Sequence, residues 1–164
     1  MSSKVKGIPD GYHTITPYLT LKDAAKAIKF YKDAFGAQEI EMHHAPDGRI
    51  MNATLKIGNS FFMLCDEFPE YGGCGISPPH SLKGTTAMLH LYVEDVDAAF
   101  NKAVKAGSKV KMPVADMFWG DRYGQLEDPF GHLWSIATRI SAPSKEKSQK
   151  GAEECFTKGC KGKK

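Results

Sequence analysis

No part of this 164-residue chain stays apolar for long. No stretch approaches the roughly 18 apolar residues that a membrane helix needs, and no apolar run follows the opening MSSKVKG as a secretion signal would. A cytoplasmic location is therefore expected, with no membrane partner. Cysteine is also scarce: four in this length do not make the disulfide framework of a small secreted domain. Cys65 lies in the apolar run SFFMLCD, as a small buried hydrophobe would. Cys74 sits in a Gly-rich loop, and Cys155 and Cys160 bound CFTKGC near the end. A single pair with four residues between its members lacks the second pair that a structural zinc site requires. A basic face is missing too. The formal charge is +3, but seven Lys and three Glu from Ser141 onward contribute +4 and leave the first 140 residues at −1. A near-neutral body offers nucleic acid no electrostatic footing.

What the chain does have is a repeat. YLTLKDAAKAIKFYKDAFGA (residues 18–37) and HLYVEDVDAAFNKAVKAGS (residues 90–108) each read as a short strand, an acidic residue, an amphipathic helix and a glycine. Asp23 and Asp95 stand 72 apart, and Gly36 and Gly107 stand 71 apart. The two aspartates suit N-caps, accepting from otherwise unpaired amides of the first turn. Ala24, Ala27, Ile28, Tyr31, Ala34 and Phe35 fall at helical spacing in the first helix; Val96, Ala99, Phe100, Ala103 and Val104 do so in the second. The glycines suit a left-handed C-terminal position. Nothing in these helices suggests chemistry.

Three strand-like runs follow each helix: AQEIEMHH, RIMNATLKI and SFFMLCD, then KVKMPV, RYGQLED and HLWSIAT. Gly58-Asn59 joins one pair and PFG another, as hairpins. Both halves read βαβββ. The expected organisation is one α+β domain over residues 8–140, with module one at 12–66 and module two at 86–140. The Pro- and Gly-rich linker at 67–85 is long enough to be a functional flap. The Lys-rich tail at 141–164 has too few apolar groups to pack and reads as flexible.

Two βαβββ modules, FY in the first helix and the D-P-x-G turn of EDPFGHLWSI resemble the vicinal oxygen chelate superfamily. That superfamily includes glyoxalase I, extradiol dioxygenases and bleomycin-resistance proteins. TPYLTLKDAAKAIKFYKDAFGA, HLYVEDVDAAF and DMFWGDRYGQLEDPFGHLWSIATR are similar to its PhnB-like branch. The resemblance implies mixed sheets curled into a cup that holds a ligand, helices outside, and homodimers. It also implies metal ligands on the first and last strands of each module. The corresponding places here are Thr16, Met63, Met88 and Ser135, both pairs 72 apart. Hydroxyls and thioethers bind a glyoxalase- or dioxygenase-type metal weakly. No metal and no other cofactor is therefore expected.

Among the remaining candidates, strand alternation places Met88, His90 and Tyr92 on one face, and Thr16, Tyr18 and Thr20 on its counterpart. His90 is the titratable group best suited to acid–base work there; its structural alternative is a buried histidine bonded to Tyr18 or to backbone. His43 and His44 end a strand pointing apart, and His13, His80 and His132 have no partner at metal spacing. In the loop DMFWGDRYG, Phe118, Trp119 and Tyr123 are apolar enough to line a pocket. Arg122 could grip a carboxylate or phosphate, or pair with Asp121 or Glu127. Trp134 reads as core, Asp66 and Glu67 as solvated, and Asp128, Pro129 and Gly131 as turn chemistry. The expected ligand-binding set is Tyr18, Met63, Met88, Tyr92, Phe118, Trp119, Arg122, Tyr123 and Ser135, taking a small planar or anionic organic molecule, an antibiotic-like one among them. The rival is an enzyme of the same superfamily, a lyase, isomerase or dioxygenase. It would use a displaced metal site, or His90 as general base with Arg122 holding the substrate. A third reading makes the Lys-rich tail a protein-interaction segment.

Overall fold

The computed structural model describes residues 6–71 and 76–158, so Cys74 and Cys160 lie outside the described residues. The elements run β1 (Tyr18–Leu21), α1 (Ala24–Phe35), β2 (Gln38–His44), β3 (Ile50–Ile57), β4 (Ser60–Asp66) and α2 (Pro79–Leu82). They continue as β5 (Met88–Tyr92), α3 (Val96–Lys105), β6 (Lys109–Asp116), β7 (Asp121–Glu127), β8 (Leu133–Arg139) and α4 (Lys145–Lys158). The architecture is α+β, in two units, Met1–Gly84 and Thr85–Lys164. Each contains one four-stranded mixed sheet, ordered β1-β4-β3-β2 in the first and β5-β8-β7-β6 in the second. None of the described helices is long and apolar enough to cross a membrane.

The repeat extends to strand register. In the first unit β1 runs parallel to β4, with Tyr18 opposite Met63 and Thr20 opposite Cys65. In the second, β5 runs parallel to β8, with His90 opposite Ser135 and Tyr92 opposite Ala137. Adding 72 to either member of a first-unit pair gives its second-unit counterpart. Each helix follows the first strand of its parallel pair, and both helices start on the aspartates that the sequence marks. Asp23 Oδ1 accepts from the Lys26 amide at 3.0 Å, and Asp95 Oδ1 from the Ala98 amide at 2.9 Å. Gly36 ends α1 at φ 68°, the left-handed conformation that favours glycine.

Each helix packs its stripe on its own sheet. In the first unit Ala24, Ala27, Ile28, Phe30, Tyr31 and Ala34 are buried, with Leu55 and Leu64 fully buried on the strands. Phe30 joins the stripe, while Phe35 stays half-buried. In the second unit Val96, Phe100 and Ala103 pack with the buried Leu126, Trp134 and Ile136. Burial of each large side chain contributes about 1.5–3 kcal/mol. Trp134 is core, as its strand phase requires, and its Nε1 donates to Asp128 Oδ2 at 2.9 Å. Asp128 Oδ1 accepts the Phe130 and His132 amides, so one buried carboxylate both shapes the D-P-x-G turn and ties it to the core.

Two expectations are corrected. Asp66, read as solvated, is buried: its Oδ1 accepts from the Ala24 amide and its Oδ2 from the Ile50 amide, both at 2.7 Å. It thereby ties the end of β4 to the start of α1. Thr138, 72 residues on, makes the equivalent tie in the second unit, accepting from Val96 N at 2.8 Å and donating to Val93 O at 2.8 Å. The tail is also corrected, because residues 145–158 form α4. Ser144 Oγ accepts from the Lys147 amide at 3.3 Å at its start. Gly151 brings the helix against Phe118, so closely that an added Cβ would lie 2.7 Å from the Phe118 Cβ. The helix is held by a glycine contact rather than an apolar stripe, which hydrophobic periodicity does not detect.

Asp66→Ala should destabilise the chain by about 2–4 kcal/mol, because it strands two buried amides. Chemical denaturation checks this, and Thr138→Val should cost less, since one amide is orphaned instead of two.

Candidate functional site

In the second unit, alternation along β5, β8 and β7 sorts side chains into two faces. Leu89, Leu91, Trp134, Ile136, Arg122, Gly124 and Leu126 point to the α3 side; a Cβ on Gly124 would strike the Phe100 ring. The opposite face carries His90, Tyr92, Ser135, Ala137, Arg139, Asp121, Tyr123 and Gln125. Across the sheet, His90, Ser135 and Gln125 form one row, and Tyr92, Ala137 and Tyr123 the next.

Four rings cover this face. His90 meets Tyr92 edge-on at 4.6 Å between centroids and stacks toward Tyr123 at 6.0 Å with 21° between planes. Trp119 meets Tyr123 edge-on at 5.5 Å and Phe118 at 4.9 Å. Both are geometries that the aromatic quadrupole favours. Beneath the rings, Ser135 is 2% exposed, and its Oγ lies 2.7 Å from His90 Nδ1. The histidine's partner is thus a strand neighbour rather than Tyr18 or backbone. Burial pushes the His90 imidazole below its ordinary range, with the Asp121 charge opposing part of that shift. The ring is therefore neutral at pH 7.

Asp121 organises the edge of the face and is 3% exposed. Its Oδ2 accepts from Tyr92 OH at 3.1 Å and from Trp119 Nε1 at 2.9 Å; its Oδ1 accepts from Arg139 Nη1 at 3.4 Å. The hydrogen bond to Asp121 raises the Tyr92 phenol above its ordinary value, with burial adding to the effect. Gly120 makes the placement possible: at φ 99° it closes the turn with its amide on Met117 O, and a Cβ there would collide with Ser141 and Pro143. Gln125 Nε2 donates to Tyr123 OH at 2.8 Å, and that hydroxyl lies 3.8 Å from Met88 Sδ.

The structure thus brings together His90, Tyr92, Trp119, Tyr123 and Ser135 from the sequence-derived set, with Phe118 and Met88 at the margins. Arg122 is corrected. It lies on the α3 side, its Nε and Nη2 on the two oxygens of Asp97 at 2.6 and 2.8 Å and its Nη1 on Asp116 at 2.8 Å. These are neither of the partners expected for it, and the Arg122 guanidinium holds Asp97 below the ordinary carboxylate range. Asp121, which the sequence offers only as a partner for Arg122, shares this face with Gln125 and Arg139, which the sequence does not single out. The same alternation that picked out Tyr123 would have placed Asp121 and Gln125 beside it, and Arg122 opposite.

Tyr18 and Met63 belong to the first unit. There Tyr18 OH accepts from Asn52 Nδ2 at 3.0 Å, and Met63 is half-buried. Thr16 precedes β1 rather than lying within it, and its Oγ1 donates to His13 O at 3.2 Å. The four places aligned with metal ligands thus present two hydroxyls already bonded within the chain and two thioethers. Among the described residues no group of three or more His, Cys, Asp or Glu is placed to hold a metal. His43 and His44 are exposed at the end of β2, where His43 lies 3.4 Å from Glu41.

Proton titration by NMR should place the His90 midpoint below 6.5 and the Tyr92 midpoint above 10.0. Asp121→Asn should bring Tyr92 down toward 10.0. Because the unfolded chain takes up the His90 proton first, this group lowers stability as pH falls below about 6.5; His90→Gln should remove that contribution.

Comparison with known proteins agrees with this architecture. The Mycobacterium bovis protein Mb0911c is 44% identical over 126 residues, covering 77% of this chain and 83% of that protein. A gene product of Arabidopsis thaliana of known structure is 29% identical with a TM-score of 0.60, covering 77% of this chain and 98% of the other. A PhnB protein of Bacillus cereus, 19% identical, shares the fold at a TM-score of 0.58 over 77% of this chain and 99% of its own. The family model for the Glyoxalase/Bleomycin resistance protein/Dioxygenase superfamily matches residues 12–136, and this chain belongs to that superfamily.

Proposed function

We propose that the second-unit sheet face binds a small planar organic molecule without the help of a metal ion. The observation that carries this reading is the cluster of four rings, His90, Tyr92, Trp119 and Tyr123, around the buried polar floor of Ser135 and Asp121. Aromatic side chains with a few convergent polar groups are what a small-molecule site presents. A flat ligand stacking on Tyr123 or Trp119 would gain about 0.5–1.5 kcal/mol per ring pair beyond the area it buries. Thr16, Met63, Met88 and Ser135 supply no carboxylate or imidazole, and Ser135 Oγ is already committed to His90. A hard or borderline divalent ion would find poor ligands there.

A second reading has a specific observation behind it. The Ser135 hydroxyl holds one nitrogen of a histidine that is neutral at pH 7. That leaves His90 able to take a proton from a substrate carbon or hydroxyl through its other nitrogen. In that case the same face performs a proton transfer. His90→Ala would then abolish turnover of a substrate while leaving its binding within a few-fold.

Fluorescence titration of the full chain with planar aromatic compounds tests the first reading. The chain has two tryptophans, and Trp134 is in the core, so Trp119 is the reporter. Saturable quenching that Trp119→Phe removes, and that Tyr123→Ala weakens by about tenfold, is expected for loss of a stacking partner. Absence of quenching across the series would contradict it. Pairing into homodimers, which the family implies, belongs to the same reading; sedimentation of the full chain at twice the monomer mass would support it.

A further inference from the structure

Arg122, the cation that the sequence offers for the binding face, lies on the other side of the sheet. Arg139 lies on the correct side. It follows Ser135 and Ala137 at two-residue steps along β8, and it stands opposite Asp121 in the β7–β8 register. The two arginines are engaged differently. Three N–H groups of Arg122 are bonded to carboxylate oxygens between 2.6 and 2.8 Å. Arg139 reaches Asp121 through one nitrogen at 3.4 Å, and its side chain is 55% exposed. It also borders the Tyr92 phenol, whose ionisation its charge favours. A guanidinium carries five N–H donors in a planar fork, and the bonds to Asp121 and Tyr92 leave donors of Arg139 over, on a side chain more than half exposed at the rim of the aromatic face.

The surrounding charges suit an anion at that rim. The Asp121 carboxylate is 3% exposed, and it takes two further donors, Tyr92 OH and Trp119 Nε1, from the face itself. Its charge is therefore buried and answered from within. Glu127 lies at the far end of β7 and is bonded to Lys111 at 3.1 Å. His90 contributes no charge at pH 7. Arg139 is thus an exposed cation one same-face step in register from the row of Tyr92 and Tyr123.

We propose that Arg139 is a specificity-determining residue that selects planar aromatic carboxylates for this face, the ring on Tyr92 and Tyr123 and the carboxylate on the outward edge of the guanidinium. Charge-assisted, bidentate pairing of arginine with a carboxylate supplies orientation as well as affinity. This rests on the aromatic-face reading above and narrows it to one ligand class.

Calorimetric titration of the full chain with naphthoate and with naphthamide, its neutral isostere, separates the two claims. The wild-type chain should bind naphthoate at least about tenfold more tightly than naphthamide. Arg139→Gln should bring naphthoate to the level of naphthamide and leave naphthamide within about twofold, while Arg139→Lys should restore part of the difference, as a point charge does without the fork. Equal wild-type affinities for the two probes would overturn the role of Arg139 and leave the aromatic face standing; so would an Arg139→Gln variant that weakens both alike. Failure of both probes to bind would overturn the aromatic face itself. The wild-type comparison decides the matter even if a variant does not fold.

Discussion

A single buried carboxylate holds the candidate site together. Asp121 sits at the first position of β7, where the Gly120 turn delivers the chain into the sheet, and it gathers donors from three elements: Tyr92 from β5, Trp119 from the turn and Arg139 from β8. A buried charge in a low-dielectric setting is tolerated only when it is well paired, and removing its partners is costly. The orientations of Tyr92 and Trp119 are therefore set by the requirement to satisfy Asp121. Tyr92 and Trp119 are held by a carboxylate that lies out of solvent, a preorganisation that would lower the ordering cost of the binding proposed for this face.

The two units show how one backbone plan carries different chemistry. Where the second unit has His90, Tyr92 and Ser135, the first has Tyr18, Thr20 and Met63 at the same register. In the first unit the segment before β1 lies against the sheet: Tyr12 stacks on Phe61 at 4.6 Å, and its hydroxyl donates to Thr54 Oγ1 at 3.2 Å. The structural ties persist while the face residues diverge. Asp66 and Thr138 differ in chemistry but perform the same task, each holding the first amide of its helix to the end of its last strand. Superfamily membership thus accounts for the frame, and the chemistry has to be argued from the side chains that the frame presents.

Much of this frame was legible in the residues. The 72-residue spacing of two N-capping aspartates predicted both helices and the βαβββ order of each half, because capping and periodicity are local; the parallel pairing of β1 with β4 and of β5 with β8 joins residues 45 apart and is not written in any local signal. Trp134 was legible as core from strand phase alone. Arg122 was assigned by residue type in an aromatic loop, although its phase with Gly124 and Leu126 already placed it toward α3. Asp66 and Asp121 were misjudged or missed for a different reason. Charges at strand ends are usually solvated, and their burial depends on donors distant in sequence, Ala24 and Ile50 for one, Tyr92 and Arg139 for the other. The α4 helix escaped because its docking contact is the absence of a side chain at Gly151, which leaves no apolar signal to read.

The central claim is that ligand binding here is a property of aromatic rings set by buried polar groups and does not pass through a metal ion. The most direct measurement is the affinity of the full chain for a planar aromatic ligand before and after exhaustive treatment with a chelator. The account predicts the same dissociation constant in both preparations. Loss of binding on chelation, with recovery on adding back one equivalent of a divalent cation, would contradict it.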